Sequence, residues 1–206
     1  MKKKSKKEEL MLKGKLYSEQ LGIKLETKAE SELFKWFLAS MLFGKPISEN
    51  IAIKTYKEFE RAGILTPRKI LDAGWDKLVE LLDAGGYVRY DFSTADKLLA
   101  ISKELLRYGK KPLTKLHAIS ADSKDLEKRL QQFKGIGPVT CNIFLRELRH
   151  VWPKADPEPL PIVKKLAKQL GIKLPRNRKT KKFVKMEAAL IRLRKQKTKR
   201  ASLKHN

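Results

Sequence analysis

Cysteine is almost missing from this chain: Cys141 stands alone among 206 residues. One cysteine excludes a disulfide within the chain and an iron–sulfur cluster held by four cysteines. No stretch approaches the roughly 20 apolar residues of a membrane span, so no membrane partner is expected. Histidine is scarce as well, and His117, His150 and His205 are too scattered to suggest a metal site. Strand signals are nearly absent. Acidic residues number 23 against 48 lysines and arginines, a net charge of +25. That much self-repulsion gains a folded protein nothing and points to a polyanionic partner. A lysine-rich surface kept for solubility or heat tolerance is the plain alternative, but the excess exceeds what solubility needs. Charge alone is also compatible with a ribosome-associated role. The lysine-rich opening Met1–Glu9 is not followed by an apolar segment, so it does not read as a secretory signal. The expected location is the cytoplasm or the chromosome.

What is abundant is helix signal, and the 41% hydrophobic content can supply the core of one or two compact lobes. Thr27-Lys28-Ala29-Glu30 has the form of a capping box, followed by Leu33, Phe34, Phe37, Leu38, Met41 and Leu42 on most sides of a helix expected to be central and buried. Ser48 opens a second helix that turns Ile51, Ala52, Tyr56 and Phe59 inward and ends at Gly63. Thr66-Pro67 reads as N-cap plus first helical residue of a helix carrying Trp75, Leu78, Leu81 and Leu82, which stops at Gly85-Gly86. After the aromatic loop Gly86–Phe92, helices are expected over about 93–108, 113–119, 123–133 and 138–151. Asp156-Pro157 precedes one ending near Gly171, and a basic linker, Lys173–Lys182, leads to a last helix with Phe183, Met186, Leu190 and Leu193 in phase. Met1–Lys7 and Lys195–Asn206 are expected to be frayed basic tails. The division is a basic extension and first helix over 1–27, a helical core domain over 28–151 containing a helix–hairpin–helix at about 124–151, and a C-terminal helical segment over 152–206.

The most informative stretch is Leu130–Leu145, where an apolar helix end meets Gly135-Ile136-Gly137 and a second helix begins at once with Pro138. Glycines let the backbone turn tightly and approach another backbone, and Ile136 pins the turn to the core. Amides at such a turn can bind a phosphate oxygen. Pro138 has none, which leaves Gly135, Gly137 and Val139 as donors. Turns of this kind also expose carbonyls able to coordinate a monovalent cation that bridges to phosphate. A bare Gly-x-Gly is equally a plain helix–turn–helix corner; the charge, spacing and flanking apolar residues together favour phosphate.

Phe133-Lys134-Gly135-Ile136-Gly137-Pro138-Val139-Thr140-Cys141-Asn142 resembles the hairpin of the helix-hairpin-helix DNA glycosylases, the endonuclease III-like superfamily, whose pattern is approximately Leu-Pro-Gly-(Val/Ile)-Gly-x-x-Thr-Ala-Asn. The helix through Leu33–Leu42 running into Phe43–Ser48, and Gly86-Tyr87 followed by Ala95–Leu99, resemble the family's parts in order over roughly residues 28–172. The resemblance implies an all-α, two-lobed helical bundle with a DNA cleft between the lobes, acting as a monomer on double-stranded DNA with no required cofactor. It implies DNA contacts from Lys134, Gly135, Ile136, Gly137, Val139 and Thr140, with Tyr87 and Arg89 of the aromatic loop exposed to the duplex.

The family removes damaged or mismatched bases. Cleaving an N-glycosidic bond develops positive charge on the sugar, which a nearby carboxylate stabilises, once the base has been flipped out. Asp156 stands at about the family spacing from the hairpin, at an expected helix start that favours its ionised form; Glu158 is the reserve. Prolines 157, 159 and 161 depart from the family pattern and could delay the helix to Ile162, so Asp156 reads either as this carboxylate or as an N-cap. Bifunctional members carry a Schiff-base lysine two residues after the second hairpin glycine. Here that residue is Val139, which implies a monofunctional glycosylase unless a relocated lysine such as Lys134 or Lys154 serves. A non-catalytic DNA-binding or lesion-sensing protein on the same scaffold is the alternative, and an RNA-binding helical protein the third reading.

Overall fold

The computed structural model describes residues 14–202, with side chains through Leu193. Among the described residues there are helices and turns and no strand, so the fold is all-α. The helices are α1 (Tyr17–Gln20), α2 (Glu30–Phe43), α3 (Glu49–Arg61), α4 (Pro67–Gly85), α5 (Asp91–Leu106), α6 (Pro112–Ile119), α7 (Ser123–Gln132), α8 (Pro138–Leu148), α9 (Pro161–Gln169) and α10 (Lys181–Ser202). The tail expected over Met1–Lys7 lies outside the described residues. At the other end α10 runs on through residue 202, where a frayed tail was expected.

Helices α2 and α8 form the centre. From Leu33 to Leu42 every residue but Lys35 is buried, and on α8 every residue from Thr140 to Leu148 is. The two helices pack together, and Trp36 Nε1 donates to the Phe144 carbonyl at 2.9 Å. A buried indole of this size contributes about 3–5 kcal/mol relative to alanine. Helices α3 to α5 follow as successive neighbours. Ser48 and Thr66 cap as their sequence positions predict, accepting from the amides of Ile51 and Lys69. Trp75 is the exception to the expected apolar face of α4. Gly74 breaks that helix with φ 73°, and the indole comes to the surface, donating to Asp96 at 2.9 Å.

The capping box at Thr27 does not form. Ala29 is the residue before α2, and Thr27 sits in a short 3-10 turn. Glu30 reaches across the molecule instead. Its carboxylate accepts from the amides of Leu113 and Thr114 and the Thr114 hydroxyl at 2.6–3.1 Å, so it caps α6 rather than its own helix. A second carboxylate does the same at the N-terminal end. Buried Glu147 on α8 accepts from the amides of Tyr17 and Ser18, both at 2.9 Å, and seats α1 against the core. Burial pushes the Glu147 carboxyl above its usual range.

A smaller apolar cluster joins α9 to α10 through Val163, Leu166, Phe183, Met186 and Leu190. Val184 and Ala188 on α10 belong to the main core. Helix α10 therefore presents one face to each cluster.

Candidate nucleic-acid interface

The hairpin joins α7 to α8. Phe133 and Ile136 are buried at its base, and the Ile136 amide donates to the Phe133 carbonyl at 3.0 Å, closing the turn. Gly137 is the residue before α8 and Pro138 its first helical residue. The amides of Gly135, Gly137 and Val139 have no backbone partner among the described residues, which leaves the three expected donors available. Lys134, Gly135, Gly137 and Val139 are exposed.

The two glycines are not equivalent. Gly135 has φ 101°, a conformation side chains resist, and a Cβ there would fall 2.6 Å from Lys97 Cδ. Gly137 is extended, at φ −88° and ψ 178°, and a Cβ there would meet nothing of this protein within 4 Å. The fold needs glycine at 135; at 137 it leaves open space in front of free amides.

Three residues expected to contact DNA have buried side chains, Ile136 as the expected pin of the turn to the core. Ile136 and Thr140 are buried, so their side chains serve the turn and its packing; Thr140 lies against Gly44, where a side chain would collide with its hydroxyl. Tyr87 is only 1% exposed, its ring in the core beneath the loop and its hydroxyl donating to the Leu42 carbonyl at 2.8 Å. Arg89 is exposed as expected, its guanidinium 5.7 Å from the centre of the Tyr90 ring. Val88 and Phe92 of the same loop are also exposed.

Asp156 is not at a helix start. Helix α9 begins at Pro161, because the prolines at 157 and 159 hold the preceding chain extended, so Asp156 neither caps a helix nor benefits from a helix dipole. It lies in an ion cluster. Arg178 reaches Oδ1 and Oδ2 at 3.0 Å each, and Arg149 Nε stands 3.4 Å from Oδ1. Arg149, wholly buried at the C-terminal end of α8, also binds Glu187 of α10 and the Pro157 carbonyl. Glu158 pairs with Arg178 and with Lys164, and hydrogen bonds from these two hold its carboxyl down at about 2. Asn142, two residues past Thr140 on α8, donates to the Glu158 carbonyl at 2.9 Å and ties the segment to the hairpin helix.

Neither Arg149 nor Arg178 stood out in the sequence, since lysine and arginine are everywhere in this chain and nothing in their spacing marks a pair that converges across 29 residues. Lys154, a lysine considered as a relocated nucleophile, is engaged by the carbonyls of His117, Ala118 and Ser120 at 2.5–3.1 Å, where its charge complements the C-terminal end of α6. His117 above it stacks on Trp152, ring centres 4.6 Å apart. Cys141 is buried, and burial pushes its thiol up to about 12.

No protein-family model, curated protein or solved structure matches this chain at a significant level.

Proposed function

We propose that this protein binds the sugar–phosphate backbone of duplex DNA through the Gly135–Val139 hairpin and, from that grip, excises a damaged or mismatched base as a monofunctional DNA glycosylase. The observation that carries the binding is the turn itself. Three amides without backbone partners are gathered within five residues beside exposed Lys134, and Gly137 leaves them unobstructed. A phosphate oxygen is the ligand such a turn suits. Backbone contacts of this kind position a duplex without reading its sequence. The charge of +25 supplies long-range attraction. In this reading the main core and the α9–α10 cluster form two lobes with the duplex between them, the hairpin needs no cofactor, and the monomer suffices.

Excision is assigned to Asp156, which the Asn142–Glu158 hydrogen bond keeps close to the hairpin helix. Val139 offers no amine, so strand cleavage through the hairpin position is not part of the reading. A non-catalytic DNA-binding or lesion-sensing role is favoured by one observation: the Asp156 carboxylate faces Arg149 and Arg178, and an occupied carboxylate must be released before it can stabilise a sugar cation.

A panel of duplexes, each with one lesion, incubated with the protein and then treated with alkali, decides between them. An excising enzyme cleaves at one lesion class above the spontaneous rate. Asp156→Asn then lowers that rate by about 10²–10³, the usual loss for one electrostatic group, while binding to undamaged duplex is retained. Duplex binding with no excision on any lesion establishes the binder, and full activity in a folded Asp156→Asn protein removes the assignment.

A further inference from the structure

Two lysines from separate segments meet beside the hairpin without an acidic partner. Lys97, on α5, lays its stem across Gly135. Lys45, in the loop between α2 and α3, places its ammonium 5.5 Å from the centre of the Tyr90 ring and beside the Lys97 ammonium. The Tyr90 ring also carries Arg89. Arg89, Tyr90, Lys45, Lys97 and Gly135 thus form one line of contacts from the aromatic loop to the hairpin. No ion pair engages Arg89, Lys45 or Lys97 among the described residues, whereas Lys35, Lys57 and Lys77 on α2, α3 and α4 each pair with a glutamate three residues away. Like charges held together by an aromatic ring and a glycine cost stability unless something anionic answers them.

We propose that the Lys45–Lys97 pair is a second seat for a backbone phosphate, adjoining the hairpin, whose filling makes duplex binding take up a proton. The proposal rests on the reading of the hairpin as a duplex-backbone site. The charged groups facing Lys45 are Lys97 from α5 and, through the Tyr90 ring, Arg89; the Tyr87 ring lies edge-on to that of Tyr90. Burial and then Lys97 push the Lys45 ammonium down to about 8. A phosphate between the two lysines reverses that depression, because its charge favours both protonated forms. The free protein is therefore partly deprotonated at Lys45 above pH 8, and the bound protein is not. Ordinary surface lysines show no such transition below about pH 10.

The test is duplex affinity by fluorescence anisotropy from pH 6.5 to 9 at constant ionic strength, with the full chain. The expected wild-type result is a constant affinity to about pH 7.5 and a loss of about tenfold by pH 9, as one linked proton requires. Lys45→Arg should bind with no such pH dependence, since a guanidinium stays charged. Lys97→Ala should move the loss of affinity to higher pH without abolishing it, since burial of Lys45 remains, and should reduce the log–log salt slope by about 0.9, one phosphate contact. A wild-type affinity flat to pH 9, or a Lys97→Ala protein with unchanged salt slope, overturns the seat while leaving the hairpin reading intact. Absence of salt-sensitive duplex binding in the wild type overturns both.

Discussion

Replacing Gly137 with valine separates what the hairpin needs in order to fold from what it needs in order to bind. The backbone there is extended, a conformation valine adopts freely, and the new Cβ meets no atom of the protein within 4 Å. The cost to the fold is the poorer helix cap, about 1 kcal/mol. The cost to binding is larger. The side chain adds bulk in the open space beside the turn, where a phosphate approaching the Gly137 and Val139 amides must pass, and a hydrogen bond to a charged group contributes about 1.5–3 kcal/mol. One lost bond to phosphate then weakens binding about 10- to 150-fold. Because an amide neutralises no charge, the salt slope should stay as it is while the affinity falls. The loss should be equal on unrelated duplex sequences, since backbone contacts carry no sequence information. Gly135→Ala is the contrasting variant. Its φ of 101° and the crowding against Lys97 place the damage in the fold, about 1–3 kcal/mol in thermal or urea unfolding. Anisotropy on two duplexes and unfolding curves for both variants read the distinction. A folded Gly137→Val protein that binds within twofold of wild type would refute the role of these amides.

Three further outcomes follow from the packing. Cys141, buried and with its thiol held at about 12, should label with a thiol reagent only as fast as the protein opens; immediate labelling of the native state would contradict its placement. Glu158 has its folded pKa depressed to about 2 from 4.5, so its contribution to stability is present above pH 4.5 and fades as pH falls toward 2. Because it is mostly exposed, Glu158→Gln should flatten that acid limb by well under 1 kcal/mol, and an unchanged limb would show the pairs with Arg178 and Lys164 to be idle. Glu30→Ala removes the cap of α6 and should cost about 1–2 kcal/mol in urea unfolding, with hydrogen exchange rising first at Leu113 and Thr114; exchange confined to α2 would contradict the cross-molecule cap.

Much of the helical order was legible because it rests on local chemistry. Ser48, Thr66 and Pro67 cap their own helices, Gly63 and Gly86 end theirs, and Pro138 opens α8. The hairpin belongs to this class, with glycine, isoleucine, glycine and proline each acting within a few residues. What escaped depends on partners far along the chain. Glu30 looked like half of a capping box because its true partners lie more than 80 residues away. Tyr87 sits in a loop rich in exposed groups, but its ring joins the main core and its hydroxyl reaches the Leu42 carbonyl, 45 residues back. Asp156 stands at the spacing from the hairpin that the resemblance led one to expect, but Pro157 and Pro159 keep its segment out of α9, which begins at Pro161, and Arg178 arrives from a linker that read as plain basic sequence. Lys45 and Lys97 were two among many lysines until the fold set them side by side.

The clasp of Glu147 on the amides of Tyr17 and Ser18 also has a consequence for how the chain is made. The acceptor of the Tyr17 amide is synthesised 130 residues after it, which at about 5–20 residues per second is a wait of about 6–26 s. During that interval the amides of Tyr17 and Ser18 are without the carboxylate that accepts from them in the finished molecule. Closing so long a loop costs about 2 kcal/mol more than closing one of ten residues. The Tyr17–Ser18 segment is therefore seated late, and pulse-labelled hydrogen exchange during refolding should find the Tyr17 and Ser18 amides protected after those of α3 to α5.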